Sequence, residues 1–139
     1  MFFQIIILIF YTIFCISSII GYGIIFKKVI FRPIENNFGE LGFFGFLTLF
    51  FLSLIFHFFL PLSYFLNLII LSIGSIVFTL NFNLIKKEII KFKFLFILIA
   101  IIILPSLFFY NTNADFEIYH LPYVNYLNNF KIIFGLANL

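Results

Sequence analysis

No Asp, Glu, Lys, Arg or His occurs before Lys27. The apolar stretch 2–26 that this leaves is longer than a helix needs to cross a hydrocarbon core of about 30 Å, at about 1.5 Å of rise per residue. A secretory signal is excluded. No positive residue precedes the run, no small-x-small cleavage site follows it, and its apolar core is too long. Over all 139 residues, 65% are hydrophobic, 9% are charged and the mean hydropathy is +1.27. A soluble fold could not cover its surface with so little polar side chain. The chain is expected to be an all-α integral membrane protein.

Four spans are predicted, at about 2–26, 41–60, 61–80 and 92–109, followed by an external amphipathic helical segment over 110–139. The connector 27–40 carries Lys27, Lys28, Arg32, Pro33, Glu35 and two asparagines. Its composition reads as a loop or interfacial elbow. Gly42 and Gly45 open the second span and permit close helix approach. Pro61 marks an uncharged outer turn. In the third span Ser63, Asn67, Gly74 and Ser75 recur at helical spacing and should face neighbouring helices. A second basic connector, 81–93, holds Lys86, Lys87, Lys91 and Lys93 against Glu88.

Orientation follows from the cations. Lys27, Lys28, Arg32, Lys86, Lys87, Lys91 and Lys93 fall on one side of this arrangement and only Lys131 on the other. The positive-inside rule then puts both ends of the chain outside the inner (cytoplasmic) membrane. The net charge of +3 comes from these flanking lysines, so no nucleic-acid partner is expected. Cys15, alone in an apolar run, reads as a small buried hydrophobe. The 26 phenylalanines accompany abundant Ile, Leu, Asn and Lys and an absence of Trp. That is the bias of an AT-rich genome, and it carries no functional weight.

Two places hold candidate chemistry. His57 lies one helical turn before Pro61, where it either faces an outer cavity or snorkels to the interface. In the last stretch Asp115, Glu117 and His120 gather just beyond the exit of the fourth span, among several asparagines. Ionisable groups kept at a membrane exit mark functional sites. A carboxylate there can serve as general base toward a sugar hydroxyl. The same residues can hold a divalent cation, or Asp115 simply caps a helix beginning near Phe116.

The strings D-F-E-I-Y-H-L-P-Y-V-N-Y-L and I-I-F-G-L-A-N-L resemble a pattern in large, uncharacterised bacterial multispan membrane proteins. In these, Tyr-His opens an external helix, a tryptophan follows, and a Gly-Leu-x-Asn-Leu element comes shortly after. The matching positions are Asp115, Tyr119, His120, Gly135, Leu136, Asn138 and Leu139. Tyr126 stands at the tryptophan position, Pro122 is expected to interrupt the early helix, and Ala137 replaces a glycine.

Those proteins in turn resemble C-type polytopic glycosyltransferases. The resemblance implies Asp115 as catalytic base, His120 as its helper or a phosphate contact, and Tyr119, Glu117 and Asn138 as substrate-binding residues. No metal and no cofactor are expected. Expected partners are membrane lipid and a polyprenyl-phosphate-linked sugar, in envelope polysaccharide or glycolipid assembly. The resemblance also makes this chain the N-terminal part of a longer protein, inactive alone, whose remaining helices or a membrane partner would complete it. The alternatives are a polysaccharide polymerase or flippase-type protein, or a non-enzymatic membrane subunit that packs through its small-residue faces.

Overall fold

The computed structural model describes residues 2–31, 37–106 and 116–132. Among these residues the regular structure is helical throughout, without a strand. Helix α1 (Phe2–Ile30) is followed by α2 (Phe38–Phe59), α3 (Tyr64–Leu80), α4 (Phe82–Lys91), α5 (Lys93–Ser106), a π-helical turn (Phe116–His120) and α6 (Leu121–Asn129).

The boundaries have local causes. α1 runs past its apolar stretch to take in Lys27 and Lys28, cations that favour the negative end of the helix dipole. Asn37 caps α2, its Oδ1 accepting from the Gly39 amide at 3.1 Å. α2 stops just before Pro61, because the residue preceding a proline is pushed out of helical backbone. Ser63 then caps α3 by accepting from the Leu66 amide. The third apolar helix therefore begins three residues later than the span predicted at 61.

Ile6–Ile30 and Phe38–Phe59, each with mean hydropathy 2.1, are long and apolar enough to cross a membrane. α3, with 17 residues, is about 25 Å long at the usual rise. It joins α4 through the single residue Asn81 at a bend of 81°, and the pair together passes as one further span. Two such helices, or three with the bent pair, are thus present among the described residues.

α1 is the central helix and packs along both α2 and α3. Glycines let the backbones meet. A Cβ on Gly45 would overlap the Ile19 carbonyl of α1, and one on Gly21 would overlap the Gly74 carbonyl of α3. With little hydrophobic drive between helices in lipid, this close contact is what holds them together. Polar groups add to it: Ser17 Oγ lies 2.9 Å from Ser75 Oγ, and the Tyr22 hydroxyl donates to the Ile70 carbonyl at 2.8 Å.

The expected small-residue face of α3 is therefore real at Gly74 and Ser75 but not at its start. Ser63 is a cap, and the Asn67 amide donates to the Leu62 carbonyl just before its own helix. Both side chains satisfy local backbone at a helix N-terminus instead of reaching a neighbour. Gly42, likewise, meets only Ile20 Cδ1 at 3.9 Å, an ordinary contact.

The second basic connector is a helix. In α4, Ile85 is buried and Ile89 packs beside it, joining Ile20 and Ile24 of α1 and Leu41 of α2 in the main apolar cluster. Phe82 stacks edge-on against Phe78. α4 thus lies across the lysine-bearing end of the bundle. α5 leaves it after Phe92, touching α4 and exposing Phe94, Ile97, Ile101 and Ile102.

Candidate functional site

The end of the bundle opposite the lysines is the turn between α2 and α3, and α6 returns to it. The Leu62 amide donates to the Leu127 carbonyl at 2.8 Å, and the Ile132 amide donates to the His57 carbonyl at 3.0 Å. The latter carbonyl is one of the last four of α2, which have no partner inside the helix. The segment after α6 thus completes hydrogen bonding that α2 leaves open.

His57 lies beneath this segment. Its side chain is 3% exposed, with Nε2 3.4 Å from the Phe130 carbonyl. A carbonyl accepts only, so this contact requires a proton on Nε2. Nδ1 is buried and has no hydrogen-bond partner among the described residues. Neither sequence expectation for His57 describes this position: the ring meets neither an open cavity nor the interface, because backbone from 73 residues further along covers it.

α6 carries Pro122 in its first turn, where the missing N–H costs nothing, so the proline starts this helix and does not interrupt it. Tyr126, at the position of the expected tryptophan, stacks on Phe130 and donates its hydroxyl to the Lys131 carbonyl at 3.1 Å. It fastens the covering segment to α6.

Of the residues expected to carry chemistry, His120 ends the π-helical turn and leads into α6, its ring exposed and tilted over Phe116 at 6.4 Å. Tyr119 beside it is also exposed. Glu117 belongs to the same turn, but its side chain lies outside the described residues, as do Asp115, Gly135, Leu136, Asn138 and Leu139. Among the described residues no three His, Cys, Asp or Glu side chains come together as metal ligands would. An apolar groove of about 470 Å³ runs between the N-terminal halves of α1 and α3, with Tyr11, Tyr64 and Asn67 among its lining.

The other end of the bundle holds an ion pair that charge patterning alone did not suggest. Lys27 is 5% exposed and its Nζ lies 2.6 Å from Glu40 Oε2, joining α1 to α2 across their connector. Lys28 reaches Asn81 Oδ1 at 2.8 Å, at the bend into α4.

Comparison with known families places the chain. Residues 4–139 match a family described as a domain of unknown function (DUF8201). The chain belongs to this family. Its match takes in the apolar helices α1, α2 and α3, α4, α5 and the returning α6. No curated protein and no solved structure matches the chain.

Proposed function

We propose that this domain is the membrane-embedded front part of a glycosyltransferase-like enzyme of the bacterial inner membrane, using a lipid-phosphate-linked sugar for envelope polysaccharide or glycolipid assembly. In this reading α1, α2, α3 and α5 cross the bilayer, with the lysine-bearing end in the cytoplasm and α6 on the outer face. α5 contributes 14 residues, about 21 Å of helix, to the fourth crossing. Asp115 takes the proton of the acceptor hydroxyl. That oxygen bonds to the sugar's anomeric carbon as the bond to the lipid phosphate breaks, and the released phosphate keeps the electron pair. His120 assists or contacts the phosphate, with Tyr119, Glu117 and Asn138 as substrate contacts.

The observation that supports this most is the tethering of α6 to the outer turn by Leu62 and His57. It holds the exposed Tyr119 and His120 near one end of an apolar bundle, where a lipid-borne polar substrate would be met. The apolar groove between α1 and α3 opens toward the same end and suits the hydrocarbon part of such a donor. The glycine faces that a non-enzymatic subunit would offer to a partner are used within the chain, at Gly21, Gly45 and Gly74.

The test is complementation of a deletion strain. Asp115→Asn keeps shape and loses the base, and general-base assistance is typically worth about 10²–10⁴ in rate. Activity should collapse at normal expression and membrane insertion, with His120→Ala in between and Glu117→Gln mild. Full complementation by Asp115→Asn would remove the enzyme reading.

A further inference from the structure

α4 has two unlike faces. Ile85 and Ile89 point into the bundle, while Lys86, Lys87 and Lys91 are exposed, as is Lys93 at the start of α5. Lys87 and Lys91, one turn apart, share a face. Among the described residues the carboxylate near these four is Glu88, 3.8 Å from Lys91 at a separation that contributes little. Glu40, the other acid described at this end, is taken by Lys27. Among the described residues the result is a concentrated positive surface with little neutralisation.

Its setting is not that of a solvated helix. Single residues, Asn81 and Phe92, join α4 to the apolar helices α3 and α5, so α4 cannot leave the plane where those helices end. The 81° bend turns it across the axis of α3. Leu84, Ile90, Phe92 and Phe94 are exposed among the lysines. Lysines with long apolar stems beside such residues fit the boundary between acyl chains and headgroups. The bond from Lys28 to Asn81 holds the bend in place.

We propose that α4 is an interfacial helix that binds anionic phospholipid headgroups through Lys86, Lys87 and Lys91, together with Lys93 at the start of α5. The positive charge selects phosphate-bearing lipids of net negative charge over zwitterionic ones. Each lysine near an anionic leaflet is worth roughly fivefold in affinity, less when its neighbours compete for the same lipid. This assignment does not depend on the enzyme reading, since it concerns the opposite end of the bundle.

The full chain, reconstituted in phosphatidylcholine vesicles, is titrated with spin-labelled phosphatidylglycerol or spin-labelled phosphatidylcholine. The motionally restricted fraction of each gives their relative association. The parent should favour phosphatidylglycerol severalfold, and the preference should shrink toward unity in molar salt. The quadruple variant Lys86→Gln, Lys87→Gln, Lys91→Gln, Lys93→Gln should lose most of it at low salt, while Lys131→Gln, at the other end, should keep it. Equal association of both lipids with the parent overturns the proposal, and so does an undiminished preference in a quadruple variant that melts like the parent. If the quadruple variant fails to fold, the salt dependence of the parent decides. A preference unchanged by molar salt then overturns the proposal.

Discussion

The amide of Leu62 donates to the carbonyl of Leu127 across 2.8 Å, joining the turn between α2 and α3 to α6. Because this is a backbone bond, a side-chain truncation at either residue would leave it in place. Leu62→Pro removes the donor itself. A hydrogen bond of this kind is worth about 0.5–1.5 kcal/mol net, so α6 should detach roughly two- to tenfold more often. In a Cys15→Ser background, a cysteine at Leu127 should be labelled faster by that factor. An unchanged labelling rate would mean that α6 is held by something other than this bond.

The pair of Lys27 and Glu40 is asymmetric, with the lysine side chain 6% exposed and the carboxylate 50%. Removing one partner of a fully buried pair costs about 3–5 kcal/mol, and solvent at Glu40 lowers that here to about 1–3 kcal/mol. Glu40→Gln should therefore lower the midpoint of thermal unfolding in detergent. Lys27→Met with Glu40→Gln should be more stable than Glu40→Gln alone, because no charge is then left buried. A double variant less stable than both single ones would contradict the account.

Two glycines three residues apart should respond differently. Gly45→Ala forces α1 and α2 apart at Ile19, and overpacking of this kind typically costs about 1–3 kcal/mol. Gly42→Ala places its methyl group in ordinary contact with Ile20 and should be close to neutral. Comparing the two by detergent or denaturant unfolding tests the packing directly, and equal losses would refute the register of α1 on α2.

Topology can be read by reporter fusions. Fusions after Asn37 and Glu88 should both report the cytoplasm, and fusions after Pro61 and Asn129 the outside. A cytoplasmic signal at Asn129 would separate α6 from the outer turn and contradict the contact between Leu62 and Leu127.

The apolar runs made α1 and α2 legible in the sequence, since each is bounded by charge, proline or an Asn cap. α4 was legible only in part. Its lysines were visible as topology signals, but the spacing of Phe82, Ile85 and Ile89, which makes it a packed helix, was masked by the charge around it. His57 was misjudged for a different reason. Its neighbours in sequence describe an exposed helix end, and its cover comes from Phe130 and Ile132, which no local pattern predicts. The pairing of Lys27 with Glu40 likewise depends on how the hairpin closes, which composition does not encode. Asp115 and Asn138 stand on the sequence resemblance alone.

The central place of α1 has a consequence for biogenesis. Among the described helices α1 is synthesised first, yet both of its partners emerge later. The hairpin with α2 can close as soon as Glu40 and Gly45 have left the ribosome, since its contacts lie on one side of α1. The other side, with Ser17, Gly21 and Tyr22, must wait against lipid until α3 brings Ile70, Gly74 and Ser75. Until then the Tyr22 hydroxyl has no acceptor on α3 to donate to. The nascent hairpin is thus marked as incomplete by a polar stripe that only the next helix can hide, and a stall in translation before Ile70 would leave that stripe open to the cell's membrane quality control.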